Sequence, residues 1–230
     1  MPGQSLAPDL MQNPGAQSIL RPMECTETPD YGLVNLAAAC PGVIIDLRYA
    51  TTGNFFKTRL YDGDSAWLLA ETARRLAEAA AAVIRFGFRL VVLDAYRPLS
   101  VQVLMWDILP DPDFVAPASR GSIHNRGAAV DVTLADAAGH ELPMPSGFDE
   151  FSERASHLYS GGDAAALAHR DLLRSCMEKA GFKAYDAEWW HYSDPETRGS
   201  PLIDVPLSGL GKATFPSIPV PGSDASKVKS

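Results

Sequence analysis

Hydrophobic positions along the chain follow the strand period in four places. Apolar or alternating runs occur at residues 42–50, 88–96, 128–135 and 182–192. The run at 88–96 is almost entirely apolar, which predicts a strand in the interior of a sheet. The run at 128–135 alternates, so Asp131 shares one face with Ala129 and Thr133 while the larger apolar residues take the other face.

Between these runs the hydrophobic period becomes helical. One stripe is formed by Leu69, Ala73, Leu76, Ala77, Ala80 and Ile84. Asp64 or Ser65 is expected to cap the start of this helix, and Gly87 lies where a terminating glycine belongs. A second helix is expected to open at Pro98, and a third runs from a cap at Asp163 to Gly181.

The order of these elements predicts an α+β fold. Strands and helices mix without a regular βαβ repeat and without a glycine-rich phosphate loop. We therefore expect one domain with a central, mostly antiparallel sheet flanked by helices. Residues 1–30 are predicted to form an N-terminal arm, residues 31–204 the domain, and the proline- and serine-rich residues 205–230 a C-terminal tail.

Composition excludes several classes of partner. The net charge is −8 and no cluster of Lys and Arg stands out, which argues against nucleic-acid binding. No apolar run reaches the roughly 18 residues of a membrane span, and no signal peptide is visible. A cytoplasmic location is expected, or a periplasmic one if an export signal has been removed.

The three cysteines do not suggest a metal site. Cys25, Cys40 and Cys176 include no C-x-x-C pair, so a cysteine zinc site is not expected. The favoured interpretation is that the cysteines are buried free thiols. A disulfide between Cys25 and Cys40 remains an alternative if the protein is exported.

Two of the five histidines lie in motifs that can bind a metal. His124 precedes the alternating strand, and Gly127 can fold the intervening loop back so that His124 approaches Asp131. A histidine and an aspartate suit zinc, which then needs a third ligand. His191 in the stretch EWWHY is the natural candidate, giving one Zn²⁺ per chain with an open fourth position.

Glu188 lies three residues before His191 and is the expected general base. In a flat strand, two residues three positions apart point to opposite faces. Glu188 and His191 can converge only if the chain turns or bulges between them. Glu188 then lies beside the metal without binding it, where it can accept a proton from an attacking water.

Arg97 supplies a cation near the predicted site. It follows a buried strand and precedes a helix that opens at Pro98, so its backbone is well fixed. A guanidinium there can stabilise the oxyanion of a tetrahedral intermediate. It can instead pair with Asp94, and this alternative stays open.

Four motifs together resemble a known family. They are DLRYATTGNF at 46–55, D-x-Y-R-P at 94–98, S-x-H-x-x-G-x-A-x-D at 122–131 and E-W-W-H-Y at 188–192. In this order they resemble the D-alanyl-D-alanine dipeptidases, the zinc D,D-peptidases of the vancomycin-resistance type. The resemblance spans residues 43–194, although the segment 99–121 is shorter than in the vancomycin-resistance enzyme.

The resemblance implies an activity and a role for each matching residue. It implies hydrolysis of the small dipeptide D-alanyl-D-alanine, with His124, Asp131 and His191 as zinc ligands, Glu188 as general acid/base and Arg97 as transition-state stabiliser. Ser122, Asp149 and Tyr49 match positions around the substrate, the first two near its ammonium. Ser122 can alternatively be a turn residue and Asp149 a helix cap.

Two other functions remain open. One is a zinc D,D- or L,D-carboxypeptidase that trims longer peptidoglycan stem peptides. The other is a zinc-bearing binding module without turnover, which would be expected to lack Glu188 or Arg97. The D-configuration of the substrate rests on the resemblance alone, and no oligomeric state is indicated.

Overall fold

A computed structural model describes residues 31–112 and 115–211. Seven strands are found there: β1 (Leu33–Asn35), β2 (Ile44–Ile45), β3 (Trp67–Leu69), β4 (Arg89–Asp94), β5 (Ala129–Ala135), β6 (Lys183–Tyr185) and β7 (Glu188–Ser193). The helices are α1 (Leu36–Ala39), α2 (Ala70–Ile84), α3 (Leu99–Ile108) and α4 (Ala164–Lys179). These residues belong to one compact unit that begins at Tyr31.

The strands form a five-stranded sheet in the order β2-β4-β5-β7-β6 and a two-stranded sheet of β1 and β3. All pairings are antiparallel except the parallel pairing of β2 with β4. The predicted α+β architecture with a mostly antiparallel sheet is therefore confirmed. The apolar strand β4 is interior, as expected, and β5 occupies the centre with every residue buried.

Helix α2 packs against α4 and β4, and α4 also contacts β5, β6 and β7. Asp163 caps α4, since its carboxylate accepts a hydrogen bond of 3.0 Å from the amide of Ala166. Gly181 ends the helix with φ +92°, which is the left-handed region. Both signals were predicted from the sequence, and both are confirmed.

The start of α2 was predicted too early. Neither Asp64 nor Ser65 caps it, because residues Trp67–Leu69 first form β3 against Leu33–Asn35. The helix begins only at Ala70, after a Leu69 that provides no side-chain cap. At the other end Ile84 is half exposed and Val83 takes the buried position, so the predicted stripe is wrong at its last residue.

Two strand predictions need correction. The run at 42–50 forms a strand at Ile44–Ile45 alone, and the chain then tightens into a 3₁₀ turn at Arg48–Ala50. The run at 182–192 is a hairpin, with a turn at Asp186 and Ala187 between β6 and β7. Apolar periodicity marks burial, and it does not show where a buried segment turns.

The predicted arm at 1–30, with Cys25, lies outside the described residues. Cys40 and Cys176 are buried free thiols. The first residues assigned to the tail pack on the domain, because Leu207 is buried and the Tyr96 hydroxyl bonds to the backbone of Val205. Within the described ranges, no helix combines the length and the hydropathy needed to cross a membrane.

Candidate active site

The three predicted metal ligands meet above the centre of the large sheet. His124 comes from a 3₁₀ turn that precedes β5, while Asp131 on β5 pairs directly with His191 on β7. His124 Nε2 lies 3.1 Å from His191 Nδ1 and 3.3 Å from Asp131 Oδ1, and His191 Nδ1 lies 3.0 Å from the same oxygen. Three ligand atoms of the right type therefore converge on one point.

The turn that carries His124 depends on a glycine. Gly127 has φ +66° and donates its amide to the His124 carbonyl at 3.0 Å. A Cβ at this position would lie 2.7 Å from Leu33 Cδ2, so side chains are excluded by both conformation and space. The loop geometry predicted from Gly127 is confirmed.

One hydrogen bond sets the tautomer of His124. Its Nδ1 lies 2.8 Å from the Ala95 carbonyl, which can only accept, so in the neutral ring Nδ1 carries the proton and Nε2 offers its lone pair. Burial acts to lower the pKa of His124, but the carboxylates of Asp131 and Asp94 outweigh burial and raise that pKa, so a metal must displace a proton from Nε2. Burial acts to raise the pKa of Asp131. The two imidazoles outweigh burial and lower that pKa below its ordinary value, which keeps the carboxylate ionised.

Glu188 reaches the cavity through an irregularity in the hairpin. Ala184 on β6 pairs with Tyr192 on β7, and in a regular ladder Tyr185 would pair with His191. Tyr185 instead pairs with Glu188, so the three residues of β7 between Glu188 and Tyr192 have no partner on β6 and form a bulge. Both Glu188 and His191 line the same cavity. The predicted bulge between these two residues is confirmed.

The environment of Glu188 favours a proton-transfer role. Burial raises its pKa above the ordinary value and the charge of Asp131 adds to this, while His191, His124 and Arg97 oppose it. A raised pKa makes a carboxylate a stronger base, which favours acceptance of a proton from water.

Arg97 is fixed by a buried carboxylate. Its Nη2 and Nε donate to Asp94 Oδ2 at 2.6 and 3.2 Å, and its Nη1 donates to Gln102 at 2.8 Å. Asp94 is fully buried and also accepts from the hydroxyl of Tyr61. The predicted alternative, a pair with Asp94, is thus present, but Arg97 also lines the cavity and has further N–H groups to offer.

Asp149 and Tyr49 form a second polar group in the cavity. The Tyr49 hydroxyl donates to Asp149 Oδ2 at 2.8 Å, and the Tyr49 ring lies 5.1 Å from the guanidinium carbon of Arg97. Asp149 has φ +56°, a strained conformation for a residue with a side chain. Burial raises its pKa to about 7, which the Tyr49 hydrogen bond only partly offsets. It caps no helix, since a bend and a short 3₁₀ turn follow it.

Ser122 lines the cavity from a different part of the chain. It lies in the segment 117–126, and its Oγ accepts a hydrogen bond of 3.3 Å from the amide of His124. The turn role considered for Ser122 is therefore present. Since a hydroxyl retains a donor and a further lone pair, contact with a ligand in the cavity is compatible with that role.

One cavity of about 630 Å³ contains all eight predicted site residues. Four aromatic residues of the lining were not predicted from the sequence: Phe55, Phe56, Phe151 and Tyr185. Tyr61 and Gln102 were also missed as supports of the Asp94–Arg97 pair. The D-x-Y-R-P motif contains Asp94 and Arg97. It carries no information about Tyr61, which lies 33 positions before Asp94.

Comparison with known proteins identifies the family. A family model described as D-ala-D-ala dipeptidase matches residues 30–206. The chain is 36% identical over 171 residues to the D-alanyl-D-alanine dipeptidase of Escherichia coli (strain K12), covering 74% of this chain and 89% of that protein. It is 33% identical over 184 residues to the D-alanyl-D-alanine dipeptidase of Enterococcus faecium, covering 71% and 91%.

The match includes all four motifs and the whole cavity described above. Within that cavity His124, Asp131 and His191 form a group that could hold a metal ion. The chain is an enzyme that belongs to the D-ala-D-ala dipeptidase family of metallopeptidases.

Proposed function

We propose that the enzyme hydrolyses D-alanyl-D-alanine to free D-alanine with one zinc ion held by His124, Asp131 and His191. The observation that carries this proposal is the shared cavity. A group of three possible metal ligands, a carboxyl group with a raised pKa, a fixed guanidinium and a buried carboxylate all line one cavity. The family relatives named above act, by their names, on the same dipeptide.

The ligand triangle fits zinc. Three ligand atoms about 2.1 Å from one zinc ion at tetrahedral angles lie about 3.4 Å from one another. The observed separations are 3.1, 3.3 and 3.0 Å. Two nitrogens and one oxygen are also a donor set that zinc accepts, and three protein ligands leave the fourth position for water or substrate.

Zinc in this position would polarise the scissile carbonyl and lower the pKa of a bound water to about 7. Glu188 then accepts the proton of the attacking water and returns it to the leaving amine. Its raised pKa serves both steps, because the group must gain and lose a proton in one turnover.

Arg97 and Asp149 orient the two ends of the reacting group. Arg97 keeps its guanidinium fixed through Asp94 and directs its remaining N–H groups to the oxygen that becomes negative. Asp149 binds the substrate ammonium with its second oxygen while the Tyr49 hydroxyl holds the first. Ser122 provides a further hydroxyl contact to the substrate.

Recognition of a free ammonium distinguishes a dipeptidase from a carboxypeptidase. In a longer stem peptide the corresponding nitrogen is an uncharged amide, so Asp149 would be left buried without a cation. This carboxylate favours the dipeptide and disfavours the alternative zinc D,D- or L,D-carboxypeptidase function.

The test compares free D-alanyl-D-alanine with a pentapeptide that ends in D-alanyl-D-alanine. D-Alanine release is measured for zinc-loaded enzyme, chelated enzyme and chelated enzyme with zinc restored. We expect release from the dipeptide alone, its loss on chelation and its return with zinc. Release from the pentapeptide and not from the dipeptide would establish the carboxypeptidase function instead.

A further inference from the structure

Three arginines line the cavity in addition to Arg97. They are Arg120, Arg126 and Arg198. Among the described lining residues there is no lysine, so these four arginines provide all of the permanent positive charge. Arg97 is paired with the buried carboxylate of Asp94, and its remaining N–H groups are assigned to the oxyanion, so the other three arginines are left for a second anionic group of a ligand.

The three arginines belong to two neighbouring segments, 117–126 and 194–203, which we call the arginine wall. The segments are joined by a hydrogen bond of 2.8 Å from the Ile203 amide to the Asn125 carbonyl. The guanidinium of Arg126 adds a second connection, since it donates to the Ser200 carbonyl. Arg126 is half-buried, whereas Arg120 and Arg198 are exposed at the rim.

Asp149 lies on a different wall. Residues 48–56 and 146–151 are joined by the Tyr49–Asp149 hydrogen bond and by the edge-to-face contact of Phe55 with Phe151 at 5.3 Å. Arg97 lies between the two walls, because its amide donates to the His124 carbonyl while its guanidinium stacks over Tyr49. The cavity thus carries negative charge on one wall and positive charge on the other.

We propose that the arginine wall, with Arg126 as its anchor, binds the C-terminal carboxylate of the substrate. This inference rests on the proposed function, because a dipeptide is a zwitterion whose ammonium and carboxylate lie on either side of one peptide bond. With the ammonium at Asp149, the carboxylate points to the opposite wall and the scissile carbonyl lies between them.

Arg126 is suited to be the anchor for two reasons. It belongs to the same 3₁₀ turn as the ligand His124, so its backbone is fixed relative to the metal site. Its guanidinium is already oriented by the Ser200 carbonyl, and a planar fork fixed in this way can bind a carboxylate through two parallel hydrogen bonds. Arg120 and Arg198 add charge at the entrance.

The test uses a substrate that lacks the carboxylate. The kcat/KM of zinc-loaded enzyme is measured for D-alanyl-D-alanine and for its C-terminal amide, in the wild type and in Arg126→Gln. We expect the wild type to prefer the acid and Arg126→Gln to lose about 10- to 100-fold of that preference. Arg126→Lys should recover part of it, because charge is restored without the planar fork.

A matched control is Arg74→Gln, since Arg74 pairs with Glu71 and Glu78 on the exposed face of α2. Its acid-to-amide ratio should equal that of the wild type. A purely structural role of Arg126 would lower activity on both compounds equally. An unchanged ratio in a folded, zinc-bound Arg126→Gln enzyme therefore overturns the inference.

Failure of the proposed function gives a different result. A wild type that cleaves neither compound refutes the dipeptidase proposal. Calorimetric binding of N-acetyl-D-alanine and of its amide then tests the wall separately. If Arg126→Gln loses the preference for the acid, carboxylate binding by the arginine wall is supported. If Arg126→Gln keeps the preference, or the wild type has none, carboxylate binding by the arginine wall is overturned.

Discussion

At the scale of single residues, two carboxyl groups face the same cavity with different proposed tasks: Asp149, which is buried, and Glu188, which is partly buried. Burial raises the pKa of both Glu188 and Asp149. In the proposed mechanism, Glu188 lies on the same strand as the proposed ligand His191 and moves a proton. Asp149, which accepts a hydrogen bond from Tyr49 on another segment, binds the ammonium in its ionised form. Substitution by the corresponding amide separates these tasks, because an amide keeps the shape and removes the proton chemistry.

Glu188→Gln should reduce kcat by about 10²- to 10⁴-fold while leaving the bound zinc unchanged. Glu188 is not one of the three converging ligand residues, so the metal site stays intact. Steady-state kinetics and metal analysis of the same sample test this. Glu78→Gln, on the exposed face of α2, is the control. A Glu188→Gln enzyme without zinc would mean that Glu188 is a ligand.

Asp149→Asn should raise KM for the dipeptide by about 10- to 100-fold and change kcat less. The ammonium is bound both before and during the reaction, so loss of its contact with Asp149 weakens the binding of the substrate and of the transition state together. Asparagine tolerates the left-handed backbone of Asp149, which keeps the loop in place. A variant with unchanged KM and a reduced kcat would assign Asp149 to the chemical step.

Asp149 should also make the stability of the metal-free enzyme depend on pH. Its pKa is raised from 3.8 to about 7, so folding favours the protonated form. The stabilisation is complete below the unfolded pKa and is lost as pH rises through about 7. Asp149→Asn cannot ionise, so relative to the wild type it should gain about 2–4 kcal/mol at pH 8 and less at pH 5.

Denaturant unfolding of chelated protein at the two pH values measures this difference. The metal-free state is required because a cation in the cavity would itself lower the pKa of Asp149. A difference between variant and wild type that stays constant from pH 5 to pH 8 would contradict a raised pKa.

At the scale of elements, the sequence predicted those structures whose signals are local. The cap at Asp163, the left-handed Gly127 and the bulge required between Glu188 and His191 all follow from a few adjacent residues. The short strand β3 was missed because it exists through pairing with Leu33–Asn35, more than thirty residues away. Local periodicity carries no information about such a partner.

Gly127→Ala tests whether the turn before β5 positions His124. The new Cβ would meet Leu33 and the Leu69 amide and would also force a left-handed alanine. We expect a loss of about 2–4 kcal/mol and weaker zinc binding. Gly87→Ala is the control, since Gly87 has φ +83° with nothing within 4 Å of its Cβ position.

The control variant should lose only about 1–2 kcal/mol and bind zinc like the wild type. Urea unfolding and zinc titration of both variants give the comparison. Equal zinc affinity in the two variants would show that the crowding at Gly127 has no bearing on the metal site.

At the scale of the whole molecule, the fold class was predictable and the strand order was not. The missing βαβ repeat pointed to an antiparallel α+β sheet, which is confirmed. The order β2-β4-β5-β7-β6 rests on pairings such as Asp131 with His191, which lie 60 positions apart. The motifs contain the proposed metal ligands, but the position at which these residues meet depends on the strand pairings.

Because the ligands come from separate segments, zinc should stabilise the molecule as a whole. Binding to the folded state alone contributes about 4 kcal/mol when free zinc exceeds its Kd by about 1,000-fold. For a chain of this size that corresponds to a Tm higher by about 10 °C. Chelation should remove the increase in Tm and added zinc should restore it, as measured by thermal unfolding.

His191→Ala should show no zinc-dependent shift in Tm, because the remaining proposed ligands, His124 and Asp131, no longer have a partner on β7. A zinc shift of full size in that variant would place the metal elsewhere.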